Sequence, residues 1–163
     1  MIIDARAQAR LNRLASLVSK ELRHLLRTDA RLFAEPFTLA RANELDDDEG
    51  LAERVEAFVS RFGRLQDTLG DKVLPAWLAA HGERPGSFAD NLDRAERLGL
   101  IEDAQAWIDM RKQRNQMVHE YVEDPAVLVS ALQAGHAFVP VLARAVKRLI
   151  PNADQDNKPQ MES

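Results

Sequence analysis

The sequence predicts an all-α fold with four principal helices packed as a bundle. Helix-forming residues dominate the composition, β-branched residues are sparse, and no stretch alternates between apolar and polar residues as a strand does. Apolar residues instead recur at spacings of three and four, which places them on one face of a helix. With 163 residues, of which 45% are hydrophobic and 29% charged, the chain has the size and composition of one globular domain.

The first half of the chain contains two long amphipathic stretches. An apolar stripe in residues 4–27 predicts the first helix. Pro36 interrupts the pattern, so residues 33–45 are predicted to form a turn and a short helix. After an acidic loop, residues 51–81 predict a second long helix, which Pro75 should kink or end near Asp71.

Two glycines, Gly63 and Gly70, lie seven residues apart within this second helix. Each costs roughly 1 kcal/mol relative to alanine, so we expect a packing reason, of which the simplest is close approach of another helix. Gln66 and Asp67 lie between them and could point into a cleft, although surface exposure is the simpler prediction.

The second half begins with a short helix over residues 88–97, with Ser87 as its N-cap and Gly99 as its C-cap. The next helix is predicted to start at residue 100 or 101 and to run to about Tyr121. It carries acidic residues in its first half and basic residues in its second, which suits the helix dipole.

The last predicted helix extends from Pro125 to about residue 149, with Asp124 as its N-cap. Pro140 should bend it. Residues 151–163 show no apolar periodicity and are predicted to be a disordered tail. The helical domain should therefore comprise residues 1–150.

Composition excludes several classes of site. The chain has no cysteine, which excludes disulfides and thiolate chemistry and is typical of a reducing, cytoplasmic location. No apolar run approaches the roughly 20 residues of a membrane span, and charged residues near the N-terminus leave no visible export signal. The net charge of −4 argues against a broadly basic nucleic-acid-binding protein, but it permits a local basic cleft.

Four chemistry-bearing side chains cluster in the third long predicted helix: Arg114, Asn115, His119 and Tyr121. At about 100° per residue, Asn115 and His119 lie nearly above one another, and Arg114 and Tyr121 share a second line two turns apart. The four side chains therefore occupy one broad polar arc of the helix.

Arg111 and Lys112 extend this cluster, so that three cations occur within residues 111–114. They are candidate RNA-binding residues because they could face a phosphate. A solvated helix face is the simpler interpretation of such a cluster.

The pattern suits metal-independent cleavage of RNA. A guanidinium such as Arg114 matches a phosphate geometrically, and an imidazole such as His119 exchanges protons near neutral pH. Asn115, one turn before the histidine, could orient the ring or the substrate. The alternative is purely structural, with Arg114 and His119 paired to carboxylates nearby in sequence, such as Glu123 and Asp124.

The segment resembles the motif of the HEPN superfamily, and most closely that of its HepT branch, Arg-x4-His-x-Tyr, which reads here from Arg114 through His119 to Tyr121. The resemblance implies a four- or five-helix up-down bundle of the HEPN type that pairs as a two-fold dimer, with two motifs facing one another across the axis. It implies Arg114, Asn115 and His119 as catalytic residues, RNA as substrate, and no cofactor or metal.

The resemblance also implies a biological setting. HepT-type proteins are ribonuclease toxins of type VII-like toxin–antitoxin systems, and their antitoxin is a minimal nucleotidyltransferase of the MntA type that transfers AMP to the motif tyrosine. Tyr121, the only tyrosine of the chain, would be that acceptor. The AMP would add a bulky anion that repels RNA.

Two other functions are compatible with the sequence. Related helical proteins resemble non-catalytic subunits that hold a nucleotide or substrate for a nucleotidyltransferase, with the same cleft cutting nothing. A purely structural helical dimer is the third interpretation.

Overall fold

The computed structural model describes residues 4–119 and 123–150, and within these ranges all regular secondary structure is helical, which confirms the predicted all-α class. The helices are α1 (Ala5–Leu32), α2 (Leu39–Asn43), α3 (Glu49–Asp67), α4 (Leu74–Ala80), α5 (Phe88–Arg97), α6 (Ala104–His119) and α7 (Pro125–Leu149), with a π-helical segment, Thr68–Val73, between α3 and α4. The predicted tail, 151–163, lies outside the described residues.

The first helix is longer than predicted and ends at Leu32 rather than near residue 27. The side chain of Asp4 caps its start by accepting the N–H groups of the first turn at 3.0 and 3.1 Å. Val18, Leu25 and Leu32 lie seven residues apart and are all fully buried. The stripe therefore continues for one more turn than the predicted boundary allowed.

The predicted kink before Pro75 is a π-helical segment that joins α3 to α4 without a loop. The N–H of Leu74 bonds to the carbonyl of Leu69, five residues earlier. A proline lacks an N–H and its ring collides with the carbonyl four residues before it, so a wider turn at this point relieves the collision.

The core is formed mainly where α1 packs on α3 and α4 and where α6 packs on α7. Its largest fully buried side chains include Phe37, Phe58 and Phe62. Trp107 of α6 meets Phe138 of α7 edge to face, with ring centroids 5.5 Å apart. These contacts pack α6 against α7, so that one face of α6 lies in the core and the opposite face is exposed to solvent.

Helix α7 is long and apolar enough to cross a membrane by length and composition alone, with a window of mean hydropathy 1.7 of which 39% is buried. Polar residues scattered along it break any uninterrupted apolar run, so the sequence pattern did not predict this property. A core helix meets the same criteria, and Leu128, Leu132 and Leu142 of α7 are fully buried in the core.

Candidate functional site

Helix α6 carries the predicted site residues and begins at Ala104, three to four residues later than predicted. Two carboxylates satisfy its first N–H groups: Glu96 accepts from Ala104 and Asp103 accepts from Ala106, each at 3.2 Å. Its buried residues, Trp107, Met110 and Met117 among them, face the core.

Met117 fixes the end of α6 that bears the motif. Its side chain is fully buried, and its terminal methyl lies so close to Gly135 of α7 that a Cβ placed there would be 2.5 Å away. Because α7 has a glycine at this position, Met117 can pack directly on the helix backbone. The residues on either side of Met117 are thereby turned outward.

Arg114 reaches back to α3. Its Nη1 donates to the carboxylate of Asp67 and, at 3.5 Å, to the carbonyl of Gly63. Its aliphatic stem crosses directly over Gly63, where an added Cβ would lie 2.9 Å from Cδ. Only 18% of the Arg114 side chain is exposed, so the guanidinium is held in place rather than free in solvent.

Arg111, one turn earlier, is bound in a different way. Its Nη2 donates to both carboxylate oxygens of Asp71 at 2.9 Å, and its guanidinium carbon lies 3.8 Å from the centroid of the Phe88 ring. That ring in turn rests on Gly70, where a Cβ would be 2.7 Å from it. The close approach expected at the two glycines is therefore made by side chains of α5 and α6.

An open groove of about 560 Å³ lies between α3 and the exposed side of α6. Its lining residues come from two helices: Glu56, Val59, Ser60, Gly63, Arg64 and Asp67 from α3, and Arg114, Asn115, Met117, Val118 and His119 from α6. The structure thus brings Arg114, Asn115 and His119 to one groove. Asn115 and His119 are exposed, as is Val118 at 58%.

The charges of the groove balance. Glu56 and Asp67 oppose Arg64 and Arg114, so the groove of one chain is close to neutral rather than positive. Among the described residues, the hydrogen bonds of Arg114 use Nη1 alone and leave the donors on Nη2 and Nε for a ligand. Val59 and Val118 add apolar surface.

The carboxylate partner of Arg114 is on α3 and is not one of the predicted partners, Glu123 and Asp124. Asp124 caps α7 by accepting from Ala126 and Val127, and it is Asp67, 47 residues before Arg114, that forms the ion pair. The expected surface position of Gln66, next to Asp67, is wrong, because Gln66 is only 1% exposed.

Two further predicted residues do not border the groove. Arg111 is engaged by Asp71 and Phe88, and Lys112 is exposed on the surface of α6. Tyr121, the expected AMP acceptor, lies outside the described residues, as does the segment 120–122 around it.

On the α3 side of the groove, the sequence singled out only Asp67, as a residue that could point into a cleft. Glu56, Ser60, Gly63 and Asp67 recur at spacings of four, three and four, which is the period of one helix face. This polar face runs beside the apolar stripe of α3. It is the sequence pattern that could have predicted α3 as a wall of the groove.

Comparison with family models, with curated proteins and with solved structures gives no significant match for this chain.

Proposed function

We propose that this chain is a metal-independent endoribonuclease of the HEPN type, whose helices form a bundle that pairs as a two-fold dimer. The observation that carries the proposal is that Arg114, Asn115 and His119 border one open groove. An imidazole can transfer the protons of phosphodiester transfer to a neighbouring hydroxyl, and a guanidinium can stabilise the charge that develops on the phosphoryl oxygens.

The proposed reaction uses the RNA's own 2′-hydroxyl as nucleophile. His119 takes the proton from that hydroxyl as its oxygen attacks the adjacent phosphorus, and the bond to the 5′-oxygen breaks. The leaving oxygen takes up a proton, from His119 of the second copy or from water. The products are a 2′,3′-cyclic phosphate and a 5′-hydroxyl, so atoms and protons balance without a cofactor.

Arg114 stabilises the negative charge that grows on the phosphoryl oxygens. Asp67 and the Gly63 carbonyl hold one of its nitrogens, which fixes the plane of the guanidinium, and Nη2 and Nε remain to bind the phosphate. Asn115, exposed one turn before His119, orients the imidazole or the ribose.

The proposal includes the setting that the motif implies: a cytoplasmic toxin held inactive by an MntA-type nucleotidyltransferase antitoxin. Tyr121 accepts AMP two residues beyond His119. The added anion repels the RNA backbone. Incubation with ATP and such a nucleotidyltransferase should add one AMP mass to the wild type and none to Tyr121→Phe.

A second candidate is a nucleotide-binding partner of a nucleotidyltransferase that does not cleave RNA. Two features of the groove favour it: its apolar patch, Val59 and Val118, against which a base can stack, and the ion pair that already neutralises Arg114. Under this function, His119 contacts the ligand and transfers no proton.

The test is cleavage of a fluorescently labelled RNA by the purified chain, with a chelator present to remove metal ions. His119→Ala should lower the rate by about 100-fold or more, which is the usual contribution of a general acid or base. The fold should persist, because His119 is exposed at the end of α6. Gln116→Ala, exposed on the same helix but away from the groove, is the matched control and should cleave at the wild-type rate.

The outcomes separate the two candidates. If His119→Ala cleaves RNA at the wild-type rate, the proposed mechanism is wrong. If the wild type binds a nucleotide in the groove but leaves every RNA intact, the non-catalytic function is the correct one.

A further inference from the structure

Helix α1 differs in charge from the rest of the molecule. It contains seven lysine and arginine residues and two acidic ones, a net charge of +5, whereas the whole chain carries −4. The remainder is therefore strongly acidic, and positive potential is concentrated on this one helix.

The cations of α1 form a row. Six of them follow one another at intervals that fit a single helix face: Arg6, Arg10, Arg13, Lys20, Arg27 and Arg31. Leu17 and His24 fill the two gaps, so the spacing alternates between four and three residues throughout and stays within an arc of about 100°. All six cations are exposed, and the row, hereafter the basic row, is about 37 Å long at 1.5 Å per residue.

Carboxylates do not neutralise the basic row. Among the described residues none of its six cations forms an ion pair, and both acidic residues of α1 bond to side chains of other elements. Glu21 is buried and accepts a hydrogen bond from Thr68, and Asp29 bonds to His136 at 2.7 Å. The row therefore presents uncompensated positive charge to solvent.

The pKa of His24 reflects the positive potential of the basic row. Its partial burial, together with the positive charges of Arg61, Lys20, Arg23 and Arg27, lowers its pKa. The surroundings of His24 therefore disfavour a further positive charge, as expected in the middle of a basic surface.

The basic row is continuous with the groove. Arg61 of α3 lies against α1, where it donates to the carbonyl of His24 at 3.3 Å and to the hydroxyl of Thr28. Arg64, one turn further along α3, borders the groove and lies close enough to α1 to act on the carboxylate of Glu21. Cations therefore extend from α1, across α3, to the groove that contains Arg114.

We propose that the basic row binds the sugar–phosphate backbone of single-stranded RNA and leads the strand over Arg61 and Arg64 into the groove; this rests on the proposed ribonuclease function. The groove itself is close to neutral, so it cannot supply the electrostatic affinity for a polyanion. The acidic remainder of the surface repels RNA, which confines the strand to the row.

An anionic membrane surface suits the basic row less well. A helix that lies on a membrane inserts an exposed apolar face between the lipids. The apolar face of α1 is instead the one that packs in the core, where Val18 and Leu25 are fully buried, and Leu17 is the single large apolar side chain within the row.

The test uses a 2′-O-methyl oligoribonucleotide, which cannot be cleaved by 2′-hydroxyl attack, and follows binding by fluorescence anisotropy over a range of salt concentrations. A row variant combines Arg10→Gln, Arg13→Gln, Lys20→Gln and Arg27→Gln. A control variant removes the same charge from exposed cations elsewhere, with Arg54→Gln, Arg84→Gln, Arg97→Gln and Lys147→Gln.

We expect the row variant to lose about 100-fold in affinity at moderate salt, and the slope of log K against log salt to become shallower by about 3, since each lost phosphate contact on a single strand contributes roughly 0.7. The control variant should keep both the affinity and the slope. Because the 2′-O-methyl oligonucleotide cannot be cleaved, the measurement separates binding by the row from catalysis in the groove.

The row proposal is overturned if the row variant binds the oligonucleotide as tightly as the control variant does. It is equally overturned if the row variant loses binding to anionic phospholipid vesicles while keeping its affinity for RNA. A wild type that binds RNA through the row but leaves an all-ribose RNA intact would support the row and contradict the ribonuclease.

Discussion

Arg111 and Arg114 lie one turn apart on α6, and each forms an ion pair with an aspartate of α3 or of the π-helical segment that follows it. Asp67 also lies 3.5 Å from Arg111. Arg111 binds Asp71 through both carboxylate oxygens and stacks on Phe88. Arg114 commits a single nitrogen to Asp67 and borders the open groove. The same residue type joins two elements at one position and borders an open groove at the next.

The difference arises from what lies beyond each guanidinium. The Phe88 ring of α5 covers Arg111 because Gly70 gives the ring room to approach the helix. Gly63 gives the same room to the stem of Arg114, but the face beyond that guanidinium is the groove. A cation close to a candidate catalytic histidine is therefore not by itself a phosphate ligand.

The largest expected effect comes from replacing each arginine with methionine, which keeps the aliphatic packing and removes the charge. Arg114→Met should lower the RNA cleavage rate by about 100-fold, as for loss of one transition-state donor, with little change in stability. Arg111→Met should cleave within a few-fold of wild type but lose about 1–2 kcal/mol of unfolding free energy, from the ion pair with Asp71 and the stacked ring together.

Cleavage rates and urea unfolding curves of both variants test whether Arg114→Met loses activity and Arg111→Met loses stability. If Arg111→Met were the inactive variant and Arg114→Met the unstable one, the two roles would have to be exchanged.

Sequence patterns predicted most of the fold because its signals are local. Helix α5 has the predicted bounds, with Ser87 as N-cap and Gly99, at φ +75°, just beyond its end, and α7 begins at the Asp124–Pro125 start signal. Such caps depend on residues two or three positions apart, which a single sequence displays.

The site could be predicted on only one of its two walls. Arg114, Asn115 and His119 share a helix, so their place on one polar arc followed from spacing alone, and the structure shows that this arc borders a groove. Asp67 is 47 residues from Arg114, and only the packing of α3 against α6 brings the two together. Side-chain partners at such separations are set by tertiary packing and are not encoded in any local pattern.

A smaller effect should follow from adding one methyl group beneath Arg114. Gly63→Ala gains helix propensity, but its Cβ would lie 2.9 Å from Cδ of Arg114, so the guanidinium must shift. We expect a cleavage rate about 10-fold lower with stability nearly unchanged, because a displaced catalytic group costs rate even when the fold is intact.

Gly50→Ala, on the same helix, is the matched control, since its Cβ would meet nothing nearer than Asp48 at 3.6 Å. It should gain up to about 1 kcal/mol of stability and keep full activity. If the two alanine variants cleave RNA equally well, the position of the Arg114 stem does not matter to the reaction.

The smallest effect concerns Glu21, a carboxylate near a third arginine of this region, Arg64. Burial raises the pKa of Glu21, against the opposing influence of the hydrogen bond from Thr68 and of the charges on Arg64 and Lys72. The folded state thus retains the proton more strongly than the unfolded state does, so stability should fall as pH rises from the ordinary value of 4.5 through the raised pKa.

Glu21→Gln should remove that loss while keeping an acceptor for Thr68, so the variant should be the more stable of the two at neutral pH. Urea unfolding at a series of pH values measures it, with the exposed Glu53→Gln as the control that should leave the pH dependence unchanged. Parallel curves for wild type and Glu21→Gln would show that the carboxylate is as well solvated in the folded chain as in the unfolded one. Curves that diverge with rising pH would instead indicate that Glu21 resists ionisation. A neutral Glu21 does not offset the positive charge of Arg64 beside the groove, whereas Asp67 does offset that of Arg114.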